Sequence, residues 1–317
     1  MAEKKPVISI VVPCYNEEPA LYLSIPELIK ILDRLAGEGK ADAASYVLCV
    51  DDGSRDATWA EIQKLAAKYP GQVHGISLAH NRGHQYALLA GLMTAREDSD
   101  AAISIDADLQ DDPEAIVAMV DEFRKGAEIV YGVRNSRKSD TWFKRNSARA
   151  FYRLQNMMGL QTVYDHADYR LMSRRALDIL SQYREQNLFL RGIVPQIGLK
   201  TAVVRYDRNE RVAGESKYPL KKMLAFSIDG ITSFSARPMR WIFGLGMVLL
   251  LIDIAVALYV FIAYFGDRTV SGWASIMLSV WFLGSLILIS LGIVGEYIGK
   301  IFVEVKARPR YDIADRV

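Results

Sequence analysis

Two long apolar runs near the carboxyl end constrain this chain most. Trp241–Phe265 holds one charged residue in 25, and Ala274–Val294 holds none in 21. At about 1.5 Å of rise per residue, a helix of either length can cross a hydrocarbon layer of about 30 Å. The connector, residues 266–272, is too short to form a domain. The sequence therefore predicts a two-helix transmembrane hairpin with both chain ends on one side of a bilayer.

Basic residues beside the two runs predict which side that is. Lys and Arg in short flanking segments favour the cytoplasmic side. The connector carries only Arg268, whereas the flanks carry eight basic residues: Lys221, Lys222, Arg237, Arg240, Lys300, Lys306, Arg308 and Arg310. We therefore expect both termini in the cytoplasm. Asp253 lies inside the first run, where a carboxylate is costly and usually faces protein, so packing is favoured over a transport role.

The first 135 residues alternate short apolar runs with amphipathic segments. Continuous apolar strands are typical of a parallel sheet that is covered on both faces. The predicted strands are Val7–Val12, Tyr46–Val50, Val73–Leu78, Ala101–Ile105 and Glu128–Val133. Helical patterns lie between them, at Leu21–Leu35, Thr58–Lys68, Gln85–Thr94 and Pro113–Lys125. Such repeated units predict a doubly wound α/β domain whose ligands bind beyond the carboxyl ends of the strands.

Composition and missing motifs exclude several classes of protein. A net charge of +2 argues against a nucleic-acid partner. Two cysteines, Cys14 and Cys49, cannot form a disulfide framework or a four-ligand zinc site. The amino terminus lacks the apolar core of a signal peptide. No glycine-rich phosphate loop follows the first strand, so a bound nucleotide would be held through its base, its ribose and a metal.

Polar clusters directly follow three of the predicted strands. They read Pro13-Cys14-Tyr15-Asn16-Glu17, Asp51-Asp52-Gly53-Ser54 and Asp106-Ala107-Asp108-Leu109-Gln110-Asp111. Strand ends of this kind converge on one crevice. Carboxylates two residues apart can bind a hard divalent cation that bridges substrate phosphates. An isolated pair arises by chance in many acidic turns, and the two neighbouring clusters are what favour a site here.

These three clusters resemble the motifs of glycosyltransferase family 2, which has the GT-A fold. Further motifs, together with the hairpin, are similar to those of the bacterial polyprenyl-phosphate glycosyltransferases, including bactoprenol glucosyltransferases. They are Asn81-x-Gly83-His84-Gln85, Asp165-x-x-Asp168-Tyr169-Arg170-Leu171 and Arg211-x-x-Gly214-Glu215-Ser216-Lys217-Tyr218. Dolichyl-phosphate mannose synthases are more distant relatives. His80-Asn81-Arg82 departs from the usual Arg-Asn-aromatic pattern, which leaves local sugar or acceptor contacts open.

The resemblance implies a role for each matching residue. It places the nucleotide-sugar against Pro13, Tyr15, Glu17, Asp51, Asp106 and Arg211. It implies Mg²⁺ or Mn²⁺ on Asp106, Asp108 and Gln110. Asp168 matches the acceptor-side carboxylate, with Asp165 second, so the implied catalytic set is Asp168, Asp165 and Asp108. Phosphate or acceptor contacts fall to Arg134, Arg170, Ser216 and Lys217, with residues 211–217 expected to form a mobile lid.

The role of Asp168 is left open between three readings. A phosphate monoester has a second pKa of about 6, so the acceptor is mostly dianionic at pH 7 and needs little help from a base. Positioning of the acceptor is therefore favoured, a general-base role is the second reading, and a structural ion pair with Arg170 is the third.

The implied reaction is inverting transfer of a hexose to undecaprenyl or another polyprenyl phosphate at the cytoplasmic face of a bacterial inner membrane. UDP-glucose is the favoured donor; GDP-mannose, UDP-N-acetylglucosamine and a UDP-aminoarabinose derivative stay open. A non-catalytic protein that binds or transports lipid-linked sugars is the alternative, and two spans are few for a polymer channel.

The expected partners are the donor, the lipid and the bilayer; a homo-oligomer is left open. The expected domains are 1–218 (catalytic), 219–240 (juxtamembrane interfacial helix), 241–298 (transmembrane) and 299–317 (cytoplasmic tail).

Overall fold

The computed structural model describes residues 5–135, 166–207 and 272–317, together with isolated helical positions between residues 242 and 258. The chain divides into two compact units. Of the described residues, the first unit contains 5–135, 166–207 and 308–317, and the second contains 272–307 and those isolated positions.

An eight-stranded sheet forms the centre of the first unit. Its strands are β1 Ile8–Cys14, β2 Tyr46–Asp51, β3 Val73–Leu78, β4 Ala101–Ser104, β5 Ile129–Arg134, β6 His166–Ser173, β7 Thr201–Tyr206 and β8 Ile313–Arg316. They are hydrogen-bonded in the order β7-β5-β6-β4-β1-β2-β3-β8. Four of the seven pairings are parallel, and the three antiparallel ones involve β6 or β8. The sheet is therefore mixed with a parallel majority, as the sequence predicted.

Helices connect the strands and cover the sheet. They are α1 Glu18–Gly37, α2 Thr58–Lys68, α3 His84–Asp98, α4 Ala115–Arg124, α5 Arg174–Leu180 and the short α6 Leu190–Ile193, which runs into a 3-10 turn at Val194–Ile197. The five predicted strands and four predicted helices of the first 135 residues are all present, with ends shifted by a few residues.

Close packing of α3 against the sheet depends on a residue without a side chain. A Cβ atom at Gly91 would lie 2.4 Å from Cγ1 of Val11 and 2.7 Å from Cγ2 of Val50. Both distances are far below van der Waals contact, so glycine lets α3 approach β1 and β2. This contact fixes the amino end of α3, which begins at His84, relative to the strand ends.

The strand β6 lies between β4 and β5 and runs antiparallel to both. Its register pairs Ser104 with Arg170 and Ile103 with Leu171. Because β6 is antiparallel to β4, the first residues of β6 lie beside the carboxyl end of β4. Asp168 is thereby brought to the same edge of the sheet as Asp106.

The last residues of the chain return to the first unit. β8 pairs antiparallel with β3 at the sheet edge, and Val317 exchanges two main-chain hydrogen bonds with Gly75. The sequence predicted a tail over residues 299–317 without a strand. Four residues carry too short a pattern to indicate an edge strand, and pairing with the exposed side of β3 supplies its stability.

A single long helix, α7 Trp273–Lys306, makes up most of the described second unit. It contains the predicted run Ala274–Val294 and continues past it, ending where Ala307 adopts a left-handed conformation two residues before Pro309. Within the described chain, its segment Phe282–Lys306 is the one helix long and apolar enough to cross a membrane, and its apolar side chains are exposed. The predicted first span, Trp241–Phe265, and the interfacial helix at 219–240 lie largely or wholly outside the described residues.

Candidate active site

The carboxyl ends of β1, β2 and β4 lie side by side. Their register pairs Cys14 with Asp51 and Val11 with Ser104. The three polar clusters that the sequence singled out leave the sheet from these ends, so they share one edge. The predicted convergence of the strand ends is therefore present.

The loop after β1 is clamped to the loop after β2. Asn16 has a φ of 55°, a left-handed conformation that asparagine tolerates better than most residues. The side-chain oxygen of Asn16 accepts from the main-chain N–H of Arg55 at 2.8 Å, and the main-chain N–H of Asn16 donates to Oγ of Ser54 at 3.0 Å. Tyr15, beside it, leaves 41% of its surface exposed. This tyrosine is available to a ligand at the edge of the crevice.

Two neighbouring carboxylates at the end of β2 are both buried but have different partners. Asp51 accepts from the Ser54 amide at 3.1 Å and from the Ser77 hydroxyl at 3.0 Å. Asp52 accepts from the amides of Arg82 at 2.7 Å and Gly83 at 2.8 Å. Burial raises the pKa of Asp52, and these two amides oppose the rise. Asp52 therefore anchors the backbone at Arg82 and Gly83, directly before His84.

The cluster after β4 concentrates negative charge. Asp106 and Asp108 are half-buried, and Gln110 is buried. The main-chain N–H of Gln110 donates to Oδ1 of Asp108 at 3.2 Å. Burial raises the pKa of Asp106; His84 opposes the rise, and the charges of Asp168 and Asp111 add to it. A cation would relieve this excess of negative charge.

The donor groups of this cluster fit a hard divalent cation. No three His, Cys, Asp or Glu side chains among the described residues form a metal site by themselves. Asp106 and Asp108 supply carboxylate oxygens, and the buried Nε2 of Gln110 has no hydrogen-bond partner in the described chain. Nitrogen and oxygen of an amide can be exchanged by rotating the group, which would turn the Gln110 oxygen toward a ligand. Two or three oxygen ligands suit Mg²⁺ or Mn²⁺, whose remaining positions go to water and phosphate.

Asp168 lies at the centre of a dense polar cluster. It is 8% exposed and accepts hydrogen bonds from Arg170, from Nε of Arg191 at 3.2 Å and NH2 of Arg191 at 3.0 Å, and from Gln85 at 3.3 Å. Its main-chain oxygen accepts from the Ser104 hydroxyl. Burial alone would raise the pKa of Asp168, but the nearby His84 and the guanidinium groups of Arg191 and Arg170 hold it well below its usual value.

His84 stands between the two carboxylate groups of the crevice. Its Nε2 lies 3.6 Å from Oδ2 of Asp168 and 3.9 Å from Oδ1 of Asp106. Burial lowers the pKa of His84, but the two carboxylates outweigh it and raise the pKa above its usual value. His84 therefore lies between Asp106 and Asp168, and both carboxylates favour the protonated form of its imidazole.

Sequence reasoning missed the roles of His84, Gln85 and Arg191. The first two lie in the quoted motif Asn81-x-Gly83-His84-Gln85, so the motif itself was the signal. Arg191 belongs to no quoted motif and reaches Asp168 from α6, a contact that only the folded chain brings about.

The two predicted phosphate-binding arginines in the described chain are each paired with a buried carboxylate. Arg134 at the end of β5 binds Oδ1 of Asp111 at 2.8 Å. Arg170 is 1% exposed and lies against Asp168 and the main-chain oxygen of Leu190. Arg134 and Arg191 leave 32% and 35% of their side chains exposed, so both differ from the fully buried Arg170. Asp165, Arg211, Ser216 and Lys217, and with them the predicted lid, lie outside the described residues.

Comparisons with known proteins match the chain over nearly its whole length. A family model described as Glycosyl transferase family 2 matches residues 9–180. The Bacillus subtilis (strain 168) protein named uncharacterized glycosyltransferase YkoT is 52% identical, over 99% of this chain and 93% of its own. The bactoprenol glucosyl transferase of Shigella phage SfX is 38% identical, over 98% of this chain and 99% of its own. A solved structure, mannosyl-3-phosphoglycerate synthase from Rubrobacter xylanophilus, is similar in fold, with a TM-score of 0.50 at 17% identity over 74% of each chain.

Proposed function

The chain belongs to glycosyl transferase family 2, and on that premise we propose that it transfers a hexose from a nucleotide-sugar to a polyprenyl phosphate at the cytoplasmic membrane. The observation that carries the proposal is the crevice in which Nε2 of His84 lies 3.9 Å from Asp106 and 3.6 Å from Asp168. Such a crevice can hold a donor and an acceptor on its two sides. The relatives named bactoprenol glucosyl transferases support glucose as the sugar and a lipid as the acceptor.

The donor occupies the side formed by the loops after β1 and β2. Asp51 is held by Ser54 and Ser77 so that its carboxylate has a fixed orientation toward a ribose or base. Exposed Tyr15 offers a ring against which a base can stack. Pro13 and Glu17 complete this side, and Arg211 would reach it from the lid.

Negative charge on the leaving nucleoside diphosphate is the main barrier to transfer. Held by Asp106, Asp108 and Gln110, Mg²⁺ or Mn²⁺ would supply a Lewis acid against that charge. His84 stands beside Asp106, which favours the protonated imidazole, so His84 can add positive charge to the same region. Fixed charges stabilise a transition state without the cost of reorganising water.

Asp168 orients the acceptor side and does not act as a base. Both of its oxygens already accept hydrogen bonds, and its pKa is depressed, so its affinity for a proton is low. The acceptor phosphate, with a second pKa of about 6, arrives largely deprotonated. Asp168 positions Arg191, and the partly exposed guanidinium of Arg191 can bind the acceptor phosphate. Arg134, Ser216 and Lys217 remain further candidates for phosphate contacts.

The membrane segment matches a lipid acceptor. A polyprenyl chain stays in the bilayer while its phosphate lies at the surface. We infer that α7 is the second span of a two-helix hairpin, that residues 219–240 lie at the interface and that the catalytic unit is cytoplasmic. The exposed apolar surface of α7 supports membrane insertion, and the eight flanking basic residues support the orientation.

A transfer assay tests this function. Purified full-length protein in detergent, undecaprenyl phosphate and Mg²⁺ are combined with one nucleotide-sugar at a time, and the mass of the lipid product is measured. We expect a hexosyl lipid from UDP-glucose and none from the Asp108→Asn variant. Asp112→Asn, which removes the same charge four residues along, is the matched control and should stay active. A product from another donor would correct the sugar, and no product from any donor would refute the function.

A further inference from the structure

The residues that follow the membrane helix make an unexpected set of contacts with the catalytic unit. We call residues 308–317 the C-terminal strap. The strap begins after α7 ends and includes β8. Its contacts fall on three segments of the first unit: one carries Ser77, which holds Asp51, one leads into His84, and one leads into Arg191.

The first contact is the pairing of β8 with β3. Asp315 is paired with Ser77, and Ile313 with Leu78. The hydroxyl of Ser77 is the one that holds Oδ2 of Asp51 on the donor side. The strand pairing therefore fixes the backbone from which a donor-side contact is made.

The second contact is with the loop that precedes α3. The main-chain oxygen of Asp312 accepts from the Ala79 amide at 2.9 Å, and the Asp312 carboxylate lies 3.5 Å from NH2 of Arg82. The same loop is anchored by Asp52 and leads directly into His84. An exposed ion pair contributes little, so the main-chain hydrogen bond is the stronger tie.

The third contact reaches the acceptor side. NH1 of Arg310 donates to the main-chain oxygen of Tyr183 at 2.8 Å. Tyr183 lies between α5 and α6, and α6 carries Arg191. Two further bonds join this segment to α3: the Leu190 amide donates to Oε1 of Gln85 at 3.0 Å, and the Tyr86 hydroxyl donates to the oxygen of Gln186.

Arg310 and Asp312 together hold the two segments from which His84, Gln85 and Arg191 reach Asp168. We propose that the C-terminal strap is a positioning element for the acceptor-side carboxylate, and that Arg310 is the positioning residue that holds the segment before Arg191. This inference rests on the proposed transfer reaction, since it assigns the strap to the acceptor side of that reaction. The contact that it depends on is the half-buried, charge-assisted hydrogen bond from Arg310 to the Tyr183 oxygen.

The test compares Arg310→Ala with Arg308→Ala in the full-length protein. Both variants remove one positive charge from the strap, but Arg308 is exposed and makes no side-chain contact that the structure records among the described residues. We expect kcat for transfer to undecaprenyl phosphate to fall about ten- to hundredfold in Arg310→Ala, the range for a small misplacement of reacting groups. The KM for the nucleotide-sugar should stay unchanged. Arg308→Ala should match wild type in both, and Arg310→Lys, which keeps a donor, should recover part of kcat.

Hydrogen exchange supplies a readout that does not depend on activity. Amides of residues 183–191 should exchange faster in Arg310→Ala and not in Arg308→Ala. A wild-type protein without transfer activity would refute the proposed function, whereas the exchange comparison would still decide the strap contact. Equal kcat and equal exchange in the two alanine variants would overturn the inference. Arg310→Ala could also lower the melting temperature. In that case, faster exchange confined to residues 79–86 and 183–191 supports the inference about the strap, and faster exchange throughout the α/β unit overturns it.

Discussion

At the scale of single residues, the candidate site depends on charges that are only stable together. Asp168 is buried with Arg170 and in contact with Arg191, so each group compensates the cost of burying the others. Such a cluster holds its geometry well, but it tolerates the loss of one member poorly. The first prediction at this scale follows from that dependence, and the second concerns the carboxylates after β4.

The first prediction concerns stability. Asp168→Asn removes the charge that compensates the buried Arg170 and should lower the free energy of unfolding by about 3–5 kcal/mol. Because the pKa of Asp168 is depressed in the folded state, its ionised contacts stabilise the protein fully above about pH 4 and progressively less as the pH falls further. Urea unfolding at pH 7 and at lower pH, followed by fluorescence, should show the gap between wild type and variant closing toward acid. A gap that stays constant would contradict this account.

The second prediction concerns the metal. Removal of divalent cations with excess EDTA should abolish transfer, and Mg²⁺ or Mn²⁺ should restore it, because the charge on the leaving diphosphate then lacks its counterion. Asp108→Asn should lower kcat by orders of magnitude without changing the melting temperature, since Asp108 is partly exposed. Full transfer in EDTA would contradict the assignment of Asp106, Asp108 and Gln110.

The convergence of the three polar clusters could be predicted from the sequence, because their residues stand in contiguous motifs at strand ends. The acceptor side could be predicted only in part. Asp168 lies in a quoted motif, whereas Arg191 is 23 residues away along the chain and reaches it through the path of α6. Long-range contacts of this kind depend on loop geometry, which no local residue pattern encodes.

At the scale of elements, the strands that were found are those with continuous apolar sequence. β1, β2 and β4 are buried at every position, and β3 and β5 at most positions, so these strands stand out. β6 was missed because it places Asp168 and Arg170 inside the fold, so its sequence reads as polar. β7 carries exposed residues at alternate positions, and β8 has four residues. Buried charge therefore hid β6, exposure hid β7, and short length hid β8.

The third prediction tests the contact between α3 and the sheet. Gly91→Ala places a methyl group into Val11 and Val50 and should lower the free energy of unfolding by about 1–3 kcal/mol, the usual cost of overpacking. Gly37→Ala is the matched control, because a Cβ atom there meets nothing within 4 Å at the end of α1. It should be neutral or stabilise by about 0.5–1 kcal/mol, since alanine favours a helix more than glycine does. Equal melting temperatures for both variants would contradict the packing argument.

At the scale of the whole molecule, the chain leaves the α/β unit, forms the long apolar helix α7 and then returns to the α/β unit. Residues 308–317 belong to the same compact unit as residues 5–135. A strand in the sheet cannot lie on the far side of a bilayer from the rest of that sheet. The strap therefore adds a structural reason, independent of the basic residues, for expecting an even number of spans between the catalytic residues and the carboxyl terminus.

The fourth prediction follows from this reasoning and tests the number and direction of the spans. Both native cysteines are buried, so single cysteines introduced at Ser271 and Arg308 can be labelled in intact cells with a membrane-impermeant maleimide. Ser271, in the connector, should react from outside, and Arg308, which is exposed at the start of the strap, should react only after the membrane is opened. If neither position is labelled from outside, the first apolar run, Trp241–Phe265, does not cross the membrane. Labelling of Arg308 alone would reverse the orientation, and a nucleotide-sugar from the cytoplasm could then not reach the crevice.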